Sequence, residues 1–394
     1  MSKKNMNNCV LPVFSFTYLN DYLGIKDFLN LRLVSHYFNE CCKPFINIHL
    51  DKYNSTMFLC DLDFRSYILN MCSKPNKQIN LNLSYMDRLL NLSLLHSIYS
   101  LDLSFCFNIV DVSFLSSIGV IHKINLSHCH NLKTTKGLEN VYELILDYCH
   151  TLNDVSSLEY SNVQKISLCH CYDLLDVHGL KNIPEIDLSY CFYLENVSPL
   201  ENVHTLCLAQ CNSITDVSCL EKVHTLDISW CSMITNFNVL KNVHDLNLTC
   251  NDRVNDVSFF QANHKLNLSL CLNVIDVSCL GNIYYLNLSY CTEIIDVNSL
   301  GNVHTLILKG CLGIRNVCAL GNVHHLDLSH CSEISDVSAL GNVHTLNICY
   351  CNRIIDISSL DKVETIYISK VNNITYIAGL NNVYVLDNRP NFLF

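Results

Sequence analysis

The chain has 394 residues, 49% of them hydrophobic, and its 25 Lys and Arg against 36 Asp and Glu give a net charge of −11. Nucleic acids and anionic membranes attract clustered Lys and Arg, so this balance argues against both as partners. No run of about 18 apolar residues occurs, and no membrane-spanning helix is therefore expected. The composition instead predicts a chain with ample apolar residues for a large core.

The first residues carry charge but lack the apolar segment and cleavage site that are typical of a signal peptide. We therefore predict that residues 1–8 are disordered and that the protein is cytoplasmic or nuclear. Richness in Asn, Ile and Tyr indicates an AT-rich genome, such as that of a protist or of a large virus. For a virus, the expected compartment is the host cell cytoplasm.

Residues 9–46 contain apolar residues at helical spacing in three short runs, with breaks at Gly24 and Pro44. The order of residues here resembles the F-box family, whose pattern runs from a Leu-Pro pair to a large aromatic residue. The matching positions are Leu11, Pro12, Leu19, Tyr22, Leu23, Asp27, Phe28, Leu29, Leu31, Val34, Ser35 and Phe38. The chain departs from the family at Phe14, Ile25 and Phe38, where an acidic residue, Pro and Trp are usual.

The resemblance implies a small helical domain that docks a Skp1-type linker protein of a cullin-based ubiquitin ligase. The implied docking face consists of Leu11, Pro12, Leu19, Leu23, Phe28, Leu31, Val34 and Phe38. Residues 47–78 follow as a helical linker. Its stretch from Ser55 predicts one or two short helices that end near Lys74 and Pro75 and cap the next domain.

Residues 79–394 repeat one phrase, and from Leu180 to Leu380 the period is 20 residues without an insertion. A fixed period of about 20 to 29 residues that contains Leu-x-Leu is typical of leucine-rich repeats. The strand cores begin at Leu81, Leu101, Ile124, Leu144, Ile166, Ile186, Leu206, Leu226, Leu246, Leu266, Leu286, Leu306, Leu326, Leu346 and Ile366. The predicted fold is an α/β solenoid: a leucine-rich-repeat horseshoe of fifteen short parallel strands, with a convex side of 3₁₀ or extended segments.

Within one repeat, the alternation predicts a strand from Thr225 to Ser229 with Leu226 and Ile228 pointing inward. In the return segment, Asp216 and Ser218 are expected to cap a single 3₁₀ turn through local hydrogen bonds. Strand alternation then places three columns on the outward face: an Asp/Asn column, a Ser column and an aromatic or His column.

The outward aromatic column supplies the candidate substrate face, because Tyr and Trp dominate binding hot spots. The candidates are Tyr148, His170, Tyr190, Trp230, Tyr290, His330 and Tyr350. The alternative is that these rings stack on one another and only shield the turn. Lys309 and Gly310 also stand out, since they break the repeat.

Twelve cysteines share one position, three residues after the second apolar residue of the strand: Cys106, Cys129, Cys149, Cys171, Cys191, Cys211, Cys231, Cys271, Cys291, Cys311, Cys331 and Cys351. Asn251 fills that position in the one repeat that lacks the thiol. We interpret this column, the cysteine ladder, as structural, because it runs along the array whereas a metal site is local.

A column of histidines precedes the strands: His204, His224, His244, His264, His304, His324 and His344. It could bind a metal or sense pH. We favour a repeated polar position at the rim of the sheet, and we predict neither a metal nor another cofactor.

No Walker loop, G-x-S-x-G or H-E-x-x-H motif occurs, and we predict that the protein is not an enzyme. An F-box followed by leucine-rich repeats resembles a substrate adaptor that presents a protein substrate to a Skp1–cullin ubiquitin ligase. The alternative is a leucine-rich-repeat scaffold or decoy without ubiquitin chemistry. An enzymatic alternative requires a reactive thiol outside the ladder, such as Cys41, Cys42, Cys60 or Cys72.

Overall fold

The computed structural model describes residues 48–71, 78–86, 98–117, 119–369, 374 and 383–386. The implied F-box docking residues, from Leu11 to Phe38, lie outside the described residues. The chain forms two compact units by contact density: unit 1 contains the described residues up to 149 together with 160–164, and unit 2 contains 150–159 and the residues from 165 onward.

Unit 1 begins with a short strand and two helices, β1 (Ile48–Leu50), α1 (Lys52–Cys60) and α2 (Leu62–Met71). Asp51 caps α1, since its Oδ1 accepts a hydrogen bond from the Asn54 N–H at 2.9 Å. The Ser55 hydroxyl fixes α1 to the strands: it donates to the Leu50 carbonyl and accepts from the Asn82 N–H. The two helices agree with the sequence-based expectation, whereas β1 was not anticipated.

Parallel strands complete unit 1: β2 (Ile79–Asn82), β3 (Ser100–Asp102), β4 (Ile121–Asn125) and β5 (Val141–Ile145). They pair in chain order, and β1 pairs with β2 so that Ile48 lies opposite Ile79. This first pair is 31 residues apart, outside the period of the repeat, which is why the sequence pattern missed β1. A 3₁₀ helix, Ser113–Ser117, follows β3.

Unit 2 contains twelve described parallel strands that pair in chain order. They are β6 (Lys165–Ser167), β7 (Glu185–Asp187), β8 (Thr205–Cys207), β9 (Thr225–Asp227), β10 (Asp245–Asn247), β11 (Lys265–Asn267), β12 (Tyr285–Asn287), β13 (Thr305–Ile307), β14 (His325–Asp327), β15 (Thr345–Asn347), β16 (Thr365–Ser369) and β17 (Val383–Leu386). From β6 to β16 each residue lies opposite the residue 20 positions later, so equivalent side chains form continuous columns.

The return segments of unit 2 contain 3₁₀ helices: Ser156–Leu158, His178–Leu180, Ser198–Leu200, Ser218–Leu220, Phe237–Asn242, Ser258–Ala262, Ser278–Leu280, Asn298–Asn302, Cys318–Leu320, Ser338–Leu340 and Ser358–Leu360. Asp216 Oδ1 accepts the Ser218 N–H at 2.9 Å, as the sequence predicted for this turn. The Ser218 N–H lowers the pKa of the Asp216 carboxyl. Short parallel strands that alternate with 3₁₀ turns confirm the predicted leucine-rich-repeat class.

The core of unit 2 lies between strands and return segments, where apolar columns are almost fully buried. One repeat contributes Val223, Leu226, Ile228, Ile234 and Leu240, each with at most 1% of its surface exposed. Burial of each such side chain stabilises the fold by about 1.5 to 3 kcal/mol before entropy is counted. No helix within the described ranges is long and apolar enough to cross a membrane.

Candidate functional site

The sheet face of unit 2 is the outward surface that carries the first and third residue of each strand, such as Thr225 and Asp227 in β9. The third residue shapes the turn that follows it: Asp227 Oδ1 accepts the Ser229 N–H at 2.8 Å. The same contact joins Asn247 to Thr249 and Asn287 to Ser289. The Asp/Asn column is therefore explained by local hydrogen bonding of the turn.

The Ser column is largely covered by its neighbours on the sheet face. Ser104, Ser189, Ser229, Ser289 and Ser329 are buried, with 4% to 7% of their surface exposed. Their hydroxyls contact the outward column: Ser289 Oγ donates to Asn287 Oδ1 at 2.6 Å, and Ser189 Oγ bonds Asp187 Oδ1 and lies 3.0 Å from Cys207 Sγ. The serines therefore support the Asp/Asn column and expose little surface of their own.

The residue after each of these serines adopts a left-handed backbone. Trp230 has φ +63°, Tyr290 +61° and His330 +64°, a conformation that costs a non-glycine residue strain. Thirteen described non-glycine residues share it, and Gly310 occupies the same position with φ +71°. All seven substrate-face candidates are among the thirteen.

In unit 1 the left-handed residues form a continuous ring stack. Tyr85 stacks on Phe105, Phe105 on His128 and His128 on Tyr148, with centroid distances of 4.5, 4.2 and 4.4 Å. Stacking on both faces leaves each inner ring mainly an edge for other contacts. Tyr148 is therefore part of a stack rather than a separate projecting ring.

In unit 2 rings pair at both ends of the column, His170 with Tyr190 and His330 with Tyr350, at 4.3 and 4.4 Å. Between these pairs the column contains Gln210, Trp230, Cys250, Leu270, Tyr290 and Gly310. Within the column, Trp230 is 51% exposed, Leu270 37% and Tyr290 39%. Trp230, the only tryptophan of the chain, is the most exposed of the three.

The Tyr290 ring is positioned by the two residues that break the repeat. A Cβ added at Gly310 would come within 2.5 Å of Tyr290 Cδ1, so the ring lies directly over the glycine. Lys309 Nζ lies 5.6 Å from the centroid of the same ring, within cation–π range. Leu270 was missed by the sequence analysis, which followed only aromatic and His residues in this column.

A shallow groove of about 340 Å³ lies on the strands that precede these exposed side chains, from β8 to β12. Its lining includes Thr205, Thr225 and Tyr285 together with an ion pair, in which Lys265 Nζ lies 2.8 Å from Asp245 Oδ2. The groove thus offers both charges and an aromatic ring beside Trp230 and Leu270.

The cysteine ladder makes a repeated hydrogen bond to the preceding repeat. Cys231 Sγ donates to the Leu208 carbonyl at 3.1 Å, and Cys331 Sγ donates to the Leu308 carbonyl at 3.0 Å. Asn251 makes the equivalent contact through Nδ2, to the Ile228 carbonyl at 2.9 Å. Burial raises the pKa of the Cys231 and Cys331 thiols to about 12. These thiols are therefore protonated donors in the structure.

Only one of the four thiols named for an enzymatic mechanism lies within the described residues. Cys60 is exposed at the end of α1, while Cys41, Cys42 and Cys72 lie outside the described residues. Cys318, at the start of a 3₁₀ helix, is also exposed and was not among the sequence-based candidates.

The histidine column is a stack of parallel rings that continues through Tyr284. His204, His224, His244 and His264 follow one another at centroid distances of 4.5 to 4.7 Å. His304, His324 and His344 follow at 4.7 and 4.3 Å. The column lies immediately before the strands.

The fold is similar to solved structures of other proteins at low sequence identity. The mouse RP105/MD-1 complex matches with a TM-score of 0.52 and 16% identity, over 77% of this chain and 59% of that chain. The TLR13–ssRNA13 complex matches with a TM-score of 0.51 and 16% identity, over 77% and 55%. A leucine-rich-repeat protein of Leptospira interrogans has a TM-score of 0.47 and 16% identity, over 78% and 94%.

The matched region spans a little over half of the RP105 and TLR13 chains. No family model matches the chain, and no curated protein matches it in sequence. At these identities the structural likeness bears on the fold. The chain has the leucine-rich-repeat fold.

Proposed function

We propose that the chain binds a protein partner through the sheet face of unit 2 around Trp230. The observation that carries this proposal is the break in the ring column, where Trp230, Leu270 and Tyr290 are exposed together. Trp and Tyr are enriched among residues that dominate binding energy at interfaces. Lys309 holds the Tyr290 ring from one side, which lowers the entropy lost when a partner covers it.

A protein fits this face better than a nucleic acid or a small molecule. The net charge of −11 repels a phosphate backbone, and the groove is shallow and bordered by both signs of charge. RP105 and TLR13, which share the fold, were solved in complexes with MD-1 and with ssRNA13. Their fold is thus compatible with binding of macromolecules, and the charge of this chain favours a protein.

We further propose that the protein is a substrate adaptor of a ubiquitin ligase. The support is the resemblance of residues 9–46 to an F-box, placed before the repeats. The segment would dock a Skp1-type linker and cullin, and the repeats would hold the substrate near the conjugating enzyme. Such an adaptor acts by proximity and performs no chemistry itself. The alternative is a leucine-rich-repeat scaffold or decoy that binds the same partner without a ligase.

Affinity purification from eukaryotic extract tests both parts with separate variants. The double variant Leu11→Ala, Pro12→Ala is expected to lose the Skp1-like protein and cullin while it keeps the partner of the repeats. Trp230→Ala is expected to lose that partner while it keeps Skp1 and cullin. Tyr193→Ala is the matched control, because it removes an exposed ring outside the column and should change neither set.

The outcomes separate the two parts of the proposal. If wild type recovers a partner that depends on Trp230 but no Skp1-like protein, the scaffold alternative replaces the adaptor. If Trp230→Ala retains every partner that wild type retains, the face around Trp230 is not the binding surface.

A further inference from the structure

One repeat carries a second histidine at the junction of the histidine column and the strand. In four repeats of unit 2 the column His is followed by Thr at the first strand position: His204 by Thr205, His224 by Thr225, His304 by Thr305 and His344 by Thr345. In β14 this position is His325, so two histidines stand side by side. Since His325 lies opposite Thr345 in the sheet, it also lies beside the following repeat.

The Thr at this position is a hydrogen-bond partner of the column His. Nδ1 of His224, His304 and His344 lies 3.2 to 3.3 Å from the hydroxyl of the next residue. His324 has no such hydroxyl, and its Nδ1 is buried without a hydrogen-bond partner. A buried imidazole nitrogen without a partner costs free energy unless something else occupies its lone pair.

Two further histidine rings lie beside the His324 ring. One ring nitrogen from each of His324, His325 and His344 lies within 4.8 Å of the others. The His324 ring is 4.4 Å from His325 and 4.3 Å from His344, centroid to centroid. Glu364 Oε2 lies 2.6 Å from His344 Nε2, an arrangement that fixes a ligand imidazole from behind in many metal sites.

We propose that His324, His325 and His344 bind one divalent transition-metal ion of the zinc class. Imidazole nitrogen is a preferred ligand of Zn²⁺, and three histidines with an open fourth position form a recognised zinc geometry. Zinc–nitrogen bonds of about 2.0 to 2.1 Å require the stacked rings of His324 and His344 to turn out of their parallel arrangement, so that their in-plane lone pairs converge on the ion. Water completes the coordination, and the ion links two successive repeats.

A second cluster of possible ligands is less suitable for a metal ion. His244, Asp245 and His264 also bring three ligand atoms within 4.8 Å of one another. There, the Lys265 ammonium already pairs with Asp245 at 2.8 Å and places a positive charge in the cluster. Repulsion between this ammonium and a bound cation disfavours a metal, so the proposal is confined to the His325 repeat.

The test uses the full chain and cobalt(II) as the probe, after exposed thiols such as Cys60 and Cys318 have been capped with iodoacetamide. Cobalt bound by thiolate shows a near-ultraviolet charge-transfer band that cobalt bound by imidazole lacks. The decisive variant is His325→Thr, which restores the neighbouring repeats' residue and gives His324 Nδ1 a hydroxyl partner. His204→Thr is the control, because it removes a column histidine outside the cluster.

We expect wild type and His204→Thr to bind one cobalt ion without the thiolate band and to be stabilised by zinc in thermal unfolding. His325→Thr should fold, as judged by circular dichroism, but bind cobalt at least about tenfold more weakly. Equal affinity in His325→Thr and wild type would overturn the proposal. A thiolate band in the wild-type complex, or no binding at all, would overturn it as well.

Discussion

At the scale of single residues, the pKa of a histidine on the sheet face is set by a few neighbouring groups. His330 stacks on Tyr350 in the ring column of unit 2, and its pKa is lowered by burial first and then by the Lys309 ammonium. Asp327 acts in the opposite direction. Because the folded pKa lies below the ordinary value of 6.5, this group stabilises the fold above pH 6.5, and the contribution is lost as the pH falls below it.

Replacement of Lys309 by Met should raise the pKa of His330, since the stem of the side chain is kept and only the positive charge is removed. The measurement is an NMR titration of the His330 ring. Lys222→Met, an exposed lysine of another repeat, serves as the control and should leave the titration unchanged. An unaltered His330 pKa in Lys309→Met would contradict the assigned electrostatic contact.

At the scale of the element, the turn after a strand that ends in Asp or Asn depends on one acceptor atom. Asp227 Oδ1 accepts the Ser229 N–H, and Asp227 Oδ2 accepts from Asn247 Nδ2 at 2.8 Å. The turn in turn sets the left-handed backbone at Trp230. A single carboxylate thus joins the strand, the neighbouring repeat and the position of the exposed Trp230 ring.

Asp227→Ala should lower the free energy of unfolding by about 1 kcal/mol, because the buried end of the turn loses its acceptor. Asp227→Asn should change it much less, since Asn247 and Asn287 already perform this role in their own repeats. Urea denaturation of the two variants measures the difference. Equal stability of Ala and Asn at this position would show that the contact contributes nothing.

The turn also explains the limit of inference from sequence at this scale. The period of 20 located the strands of unit 2 because equivalent apolar residues must stack in a parallel sheet. It gave β9 as Thr225–Ser229, whereas the strand ends at Asp227. The side chain-to-backbone hydrogen bond ends the alternation, and it leaves no trace in an apolar pattern. The burial of the Ser column beneath its neighbours was likewise not visible in that pattern.

At the scale of the whole molecule, the cysteine ladder makes stability depend on alkaline pH. Burial raises the pKa from 9.0 to about 12 for Cys129, Cys149, Cys231, Cys271, Cys291, Cys331 and Cys351. Folded pKa values above the ordinary one mean that the full stability is present below pH 9.0. It is lost as the pH rises from 9.0 toward 12.

A double variant, Cys231→Asn with Cys331→Asn, should move the midpoint of alkaline unfolding to higher pH. Asn has no proton to lose in this range, and Asn251 shows that the amide reaches the same carbonyl. Circular dichroism against pH measures the midpoint, and Cys318→Ser, at an exposed thiol, is the control. A midpoint that does not move would show that ladder thiolates do not drive the transition.

The candidate sites were less predictable than the fold, again for physical reasons. Tyr148 and Trp230 occupy the same repeat position, but the first lies in a ring stack and the second is exposed, because its column neighbours Gln210 and Cys250 are not aromatic. Exposure thus depends on the residues 20 positions away on either side. The cluster at His325 required the same comparison across repeats, a His where neighbouring repeats carry Thr.

The left-handed backbone also restricts which residue types mutation can place at this position of the surface. A residue with φ near +60° tolerates Gly and many unbranched side chains, but branching at Cβ makes the conformation prohibitively strained. Among the described residues the column contains Tyr, Phe, His, Gln, Trp, Cys, Leu and Gly, but not Val, Ile or Thr. Mutations that change the binding specificity of this surface are thus restricted to a few residue types at this position, and many of those types carry the rings that make strong contacts.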